Sequence, residues 1–227
     1  MLILFDVDGT LLRSRGIGLR SMKEAVFEMH GVEVDPSRMD TGGRLDPHLF
    51  HELLSSHDLP SESEHLQSLS KAYVDRMHHH FSRETWSDPL PGARELVESV
   101  HEHDALTASV LTGNIEQTCW LKLADAGFPQ GWFEFGVFGD EGATRRDLPG
   151  IGLERYQLAL GRTIEPHEAV IIGDTAHDID CARHNGCGVI AVATGKTSKA
   201  DLEEAGPDLT LESLEDTDTI IEWLLQR

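Results

Sequence analysis

Residues 2–12 of this 227-residue chain read LILFDVDGTLL, an apolar run that delivers Asp6 and Asp8 and then reaches Gly9. Alternate side chains of a strand point to one side, so this spacing predicts a buried strand whose end carries both carboxylates on one face. Gly9 lets the chain break away immediately behind them. Two hard oxygen donors at the carboxyl end of a strand suit Mg²⁺, which takes one or two carboxylates and completes its shell with water and phosphate oxygens. Asp-Gly is also a common turn pair, so these residues alone leave a plain turn open as well.

Two further segments repeat the design. Residues 168–178, EAVIIGDTAHD, end an apolar run in Gly173-Asp174 and add Asp178 four residues later. If a helix starts just after Asp174, Asp178 falls in its first turn, where the helix dipole favours a carboxylate that can face back toward the strand end. Asp178 then either only begins the helix or also completes an acidic site with Asp6, Asp8 and Asp174. Residues 105–114, ALTASVLTGN, end a third run in Thr112-Gly113-Asn114. A hydroxyl followed by exposed backbone N–H groups is what a phosphate oxygen needs.

DVDGTL, LTGN and GDTAHD, in that order and each behind a strand-like run, resemble the haloacid dehalogenase superfamily of aspartyl phosphotransferases and, within it, the phosphoglycolate-phosphatase-like branch with a helical cap. The resemblance covers essentially the whole chain. It implies an α/β fold, a doubly wound parallel sheet with its site at the carboxyl ends of the strands. The core would span residues 1–12 and 89–227, with an inserted α-helical cap at 13–88. It also implies a Mg²⁺-dependent phosphatase acting on a small phosphorylated metabolite. In that scheme Asp6 attacks phosphorus and forms an aspartyl-phosphate. Asp8 protonates the leaving oxygen and then activates water. Thr112 with the Gly113 and Asn114 amides holds the phosphoryl oxygens. Mg²⁺ would lie on Asp6, the Asp8 carbonyl and Asp174, with Asp178 bonding to its waters. An acid at position 8 argues against true dehalogenation, whose enzymes in this superfamily lack one there. A phosphomutase, or a weakly active regulatory protein on the same scaffold, stays as an alternative.

The resemblance also calls for a lysine, usually before Pro, between the threonine motif and the Gly-Asp motif. Lys122 falls too early, inside the helix expected after LTGN, and Lys196 too late. Residues 140–149, DEGATRRDLP, occupy the interval and offer Arg145 or Arg146 instead. Arginine can grip carboxylate or phosphate with two N–H groups, though its reach differs from lysine's. Arg145 is the expected cation, with Arg146 pairing with local acids such as Asp147.

No run approaches the ~20 apolar residues of a membrane span, and Leu2–Phe5 is too short for a secretory signal, so a soluble intracellular protein is expected. Cys119, Cys181 and Cys187 show no metal-ligand spacing and read as reduced thiols. The 40 acidic and 19 basic residues give a formal net charge of −21, which disfavours nucleic acid and anionic membranes as partners. Only five of the basic residues are lysine, and an acidic, lysine-poor surface suits a high-salt cytoplasm, where screening removes self-repulsion. An acidic partner-binding face is the competing explanation.

Between residues 13 and 88, apolar residues recur at spacings of three and four, as in Leu19, Met22, Val26, Met29 and in Leu66, Leu69, Tyr73, Met77, and predict helices throughout. Residues 41–47, TGGRLDP, pair two glycines with Arg44, a candidate substrate contact in a loop that dips into the site in relatives. The plainer possibility is a surface turn with Asp46 capping the next helix. His78, His79 and His80 cannot converge on one ion from a helix, because adjacent residues point in different directions. His177 is expected to face solvent.

Overall fold

The computed structural model describes residues 1–227, the side chain of Arg38 excepted. From the amino end the chain runs β1 (Leu2–Phe5), β2 (Leu12–Arg13), α1 (Ile17–His30), α2 (Asp46–Ser55), α3 (Ser63–Phe81), β3 (Asp88–Pro89), α4 (Ala93–Glu102), β4 (Thr107–Leu111) and α5 (Glu116–Asp125). It continues through β5 (Gly136–Val137), α6 (Leu148–Leu160), β6 (Ala169–Gly173), α7 (Ala176–Asn185), β7 (Gly188–Val192), α8 (Lys199–Glu204), β8 (Leu209–Leu211) and α9 (Thr217–Leu225).

Six strands form one parallel sheet in the order β5-β4-β1-β6-β7-β8. The chain builds outward from β1 through β4 and β5, then crosses back to place β6, β7 and β8 on the other side. Strand β1 therefore sits at the reversal point, where doubly wound sheets open a crevice at their carboxyl ends. Helices cover both faces, which is why β1 reads as unbroken apolar sequence with all four residues fully buried. Alternation still sorts the side chains. Ile3, Phe5, Val110, Val170 and Ile172 pack with apolar residues of α4, α5 and α9, whereas Leu2, Leu4, Leu111, Ile171 and Val189 pack with those of α6, α7 and α8. A slip of one residue would exchange the two sets, so the pattern fixes the register. Truncating Phe5 to alanine would cost about 3–5 kcal/mol.

The segment between β2 and β3 leaves and rejoins the neighbourhood of the sheet side by side. Leu12 pairs with Pro89 and Arg13 with Asp88 in the antiparallel ribbon of β2 and β3, and the exposed Arg15 guanidinium grips Asp88 next to it. Helices α1, α2 and α3 share an apolar cluster of their own, built on Val26, Phe50, Leu53, Leu69, Tyr73 and Met77, which Ile115 joins from the core. The expected helices form, but residues 39–45 run as turns and extended chain that lead into α2. Among the described residues, no helix is long and apolar enough to cross a membrane.

Candidate active site

Register brings the three motifs together. Phe5, the last residue of β1, lies opposite Val110 on one side and Ile172 on the other, so Asp6, Thr112 and Asp174 emerge at neighbouring strand ends. The Asp6 N–H still donates to the Ile172 carbonyl at 2.9 Å, which holds the start of the loop to the sheet. Helix α7 begins two residues past Asp174. Thr175 and Asp178 form a reciprocal capping box, with Asp178 Oδ2 accepting from Thr175 N–H at 3.0 Å and from its hydroxyl at 2.7 Å. Asp178 thus starts the helix with one oxygen, while the other faces the strand ends. Asp6, Asp174 and Asp178 are all buried and offer carboxylate oxygens within 4.8 Å of one another.

Arg145 reaches this triad from the turn that opens α6. A second capping box, in which Thr144 N–H donates to Asp147 Oδ2 at 2.7 Å, fixes that turn. The Arg145 side chain is 8% exposed; its Nη2 donates to Asp6 Oδ1 at 2.8 Å and to Asp178 Oδ1, and its Nη1 donates to the Gly43 carbonyl at 3.3 Å. The buried Nε–H has no partner. Arg146 turns outward and pairs with exposed Asp180 at 2.8 Å, not with Asp147 as expected, because the Asp147 carboxylate already caps Thr144.

One arginine does not balance three buried carboxylates. Burial pushes the Asp6 carboxyl up to about 7, against the pull of Arg145 and with the help of the Asp178 and Asp8 charges. Burial and the charges of Asp6 and Asp178 push Asp174 up to about 8. Asp8 behaves differently. Burial would raise it, but the Lys122 ammonium and hydrogen bonds from Lys122, Ser14 and Asn114 outweigh that and hold it below the usual carboxylate range.

From the sequence, that lysine is not expected at the strand ends. Lys122 does lie in the helix after LTGN, yet α5 aims it back at the strand ends, where its Nζ donates to Asp8 Oδ2 at 2.6 Å and to Asn114 Oδ1. Helix periodicity carried the signal: Thr118, Cys119, Lys122 and Leu123 form the buried face of α5, so a lysine stands where an apolar residue is due. Asn114 Nδ2 donates to Asp8 Oδ2 and to Thr112 Oγ1, both at 2.9 Å, and Asn114 N–H also donates to Thr112 Oγ1 at 3.3 Å. The Thr112 oxygen accepts twice, which leaves its own O–H as a donor.

The loop before α2 closes over these groups, but not through Arg44. The Arg44 guanidinium donates to Glu52 Oε2 at 2.5 Å and to the Asp40 carbonyl, and it meets none of the carboxylates of the triad. The backbone makes the approach instead. A Cβ on Gly43 would lie 2.6 Å from His177 Cβ, and one on Gly113 would lie 2.0 Å from the Arg44 carbonyl oxygen, so both contacts need glycine. Asp46 is not the cap of α2. It is buried, its N–H donates to the Gly113 carbonyl at 2.8 Å and its Oδ2 accepts from Ile115 N–H at 3.1 Å. Burial, opposed by Lys122 and the Ile115 hydrogen bond, pushes its carboxyl up to about 6. His177 is exposed beside Gly43, and His80, the buried member of the histidine run, pairs with Glu24 of α1 at 2.6 Å.

A doubly wound sheet with buried carboxylates at its reversal point defines a broad class of ligand-binding α/β proteins. The sequence narrows it: residues 3–183 match the profile of the haloacid dehalogenase-like hydrolases, and the chain belongs to that family. It is 25% identical to pyrophosphatase PpaX of Halalkalibacterium halodurans, over 94% of this chain and 93% of the relative. It is 26% identical to phosphoglycolate phosphatase of Chromobacterium violaceum, over 93% and 92%. Among solved structures, CbbY from Rhodobacter sphaeroides in complex with phosphate matches with a TM-score of 0.73 and 21% identity over 95% of each chain, a likeness of fold.

Proposed function

We propose that the protein is a Mg²⁺-dependent phosphatase that hydrolyses a small phosphorylated metabolite through a phosphorylated Asp6, with residues 13–88 acting as its cap. The observation that carries this reading is the pairing of Asp6 with Arg145 beside Asp174 and Asp178, at the strand ends where Thr112 also emerges.

The donor set fits the metal. Three buried carboxylates facing a single guanidinium leave negative charge uncompensated, and hard oxygens are what Mg²⁺ takes. Asp6 and Asp174 would hold the ion, with Asp178 beside them. Bound there, it would neutralise carboxylate and phosphoryl oxygens, keeping Asp6 ionised.

The chain's own residues supply the rest. Asp6 attacks phosphorus through a carboxylate oxygen, and the bond to the leaving oxygen breaks. Arg145 and the Thr112 hydroxyl hold the phosphoryl oxygens, and the unpaired Arg145 Nε–H is a donor that an anionic oxygen satisfies. Asp8 then takes a proton from the water that displaces phosphate from Asp6. Closure of the cap loop by Gly43 and Asp46 excludes bulk water during these steps.

Substrate preference follows from Asp8. Held as a carboxylate by Lys122, it is readier to take a proton than to give one, which favours substrates whose leaving oxygen is acidic and departs without protonation. Pyrophosphate, named by one relative, belongs to that class, whereas the phosphoglycolate named by the other would release glycolate as a more basic alkoxide. Phosphate release from both, with and without Mg²⁺, tests the assignment. Activity on either that depends on Mg²⁺ supports a phosphatase, a higher kcat/KM on pyrophosphate supports the preference, and isomerisation of a sugar phosphate without phosphate release would instead mark a mutase.

A further inference from the structure

We infer that Lys122 is a positioning residue, holding the Asp8 carboxylate in the orientation from which it activates water against the phosphorylated Asp6. The inference rests on the phosphatase reading and assigns it a residue outside the three motifs.

Lys122 stands 114 residues from Asp8 in sequence and is 4% exposed. A buried ammonium is costly unless paired and hydrogen-bonded, and an apolar residue would serve packing at that position of α5 equally well. Its partners show what the lysine adds. Nζ bridges Asp8 Oδ2, at 2.6 Å, and Asn114 Oδ1, while Asn114 Nδ2 returns to the same Asp8 oxygen at 2.9 Å. The three side chains close a ring, and Asn114 extends it to Thr112 Oγ1. Ser14 Oγ holds the opposite oxygen, Asp8 Oδ1, at 2.6 Å. Rotating Asp8 therefore breaks three hydrogen bonds at once, two of them made or supported by Lys122. Asp6 needs no help from this lysine, because Arg145 serves it from the turn that opens α6. The two carboxylates of the first motif thus have separate cations, Arg145 for Asp6 and Lys122 for Asp8.

The step that Lys122 governs is the second displacement. The water oxygen bonds to phosphorus, a water proton passes to Asp8, the phosphorus–oxygen bond to Asp6 breaks, and its electron pair stays on the Asp6 carboxylate. Misplacing a proton acceptor by an ångström can cost on the order of a hundredfold in rate.

Rapid mixing of the full-length protein with p-nitrophenyl phosphate and Mg²⁺ separates the two displacements, since p-nitrophenolate departs without protonation and reports the first. In Lys122→Met we expect a burst of p-nitrophenolate at close to the wild-type rate, followed by steady turnover lowered on the order of a hundredfold. Lys122→Arg should recover part of the steady rate. In an Asp8→Asn background the Lys122→Met change should cost little more, because a positioning residue has nothing left to position. Equal loss of burst and steady rate in folded Lys122→Met, or a full further loss in the Asp8→Asn background, overturns the inference. If Lys122→Met does not fold, Lys122→Arg must show the same split in milder form, and an unsplit loss there overturns it. A wild type without turnover overturns the phosphatase reading and this inference together, whereas an active wild type with an unsplit variant overturns this inference alone.

Discussion

Arg145 Nη2 lies 2.8 Å from Asp6 Oδ1 across 139 residues of sequence, while its neighbour Arg146 sits on the surface against Asp180. Two adjacent arginines thus have opposite fates, set by the capping box of Thr144 and Asp147 that turns one in and the other out.

Arg145→Ala should therefore lower kcat by on the order of a hundredfold, the scale for losing one preorganised donor at a developing anion. Arg146→Ala removes an exposed ion pair worth about 0–1 kcal/mol and should leave turnover near wild type. Arg145→Lys should recover part of the loss, since it restores charge without the two-pronged grip. Steady-state kinetics of the three variants check this, and equal, small effects from both alanine variants would remove Arg145 from the mechanism.

The three strand ends and the order of the motifs were legible because each rests on local chemistry: an apolar run, a carboxylate or hydroxyl at its end, and a glycine or helix start behind it. Arg145 was legible by its place in the chain. Lys122 was legible only in part: its spacing from Cys119 and Leu123 marks a buried face, but what it meets there depends on how α5 packs on the sheet, which turns it to Asp8. For Arg44 too, position alone did not give the partner. Its charge suggested a ligand contact; here Glu52, eight residues on in α2, binds it, and the approach to the site is made by the Gly43 backbone. Asp46 read as a helix cap because Asp-Pro before an apolar run is a cap signal, and its true partner, Ile115 N–H, is 69 residues away.

Metal-free stability should fall as pH rises. Asp6 and Asp174 titrate at about 7 and about 8 in the folded chain, above the value near 3.9 of an unfolded Asp, so between those limits the folded state holds protons that the unfolded state has released. The stabilisation from these two groups is full below pH ~4 and lost as pH rises through ~8. Asp174→Asn should accordingly raise Tm at pH 8 in EDTA and leave it nearly unchanged at pH 4, and Mg²⁺ should stabilise the wild type at pH 8 more than the variant. Thermal unfolding across that range decides, and identical pH profiles for the two proteins would contradict the charge assignment.

Asp46 should act as a latch between the insertion and the core. Asp46→Ala leaves the Ile115 N–H without its acceptor, a loss of about 1–3 kcal/mol. Gly113→Ala would drive a methyl group into the Arg44 carbonyl and hold the same loop away. Both should raise KM and lower kcat/KM tenfold or more, the cost of a poorly closed site. Unchanged KM in both would show that this loop plays no part in substrate binding.

A net charge of −21 spread over 40 acidic and 19 basic residues should make the folded state sensitive to screening. Tm should climb as KCl is raised from low to molar concentration, and a flat profile would remove the high-salt explanation and leave an acidic partner-binding face.

The nucleophilic role of Asp6 is open to direct capture. Acid quenching of the protein a few milliseconds after mixing with p-nitrophenyl phosphate and Mg²⁺, followed by mass spectrometry of the amino-terminal peptide, should find a phosphoryl group in the wild type at residue 6 and none in Asp6→Asn, which should neither turn over nor unfold. Continued phosphate release by Asp6→Asn, or turnover by the wild type with no phosphorylated peptide at any quench time, would contradict the account.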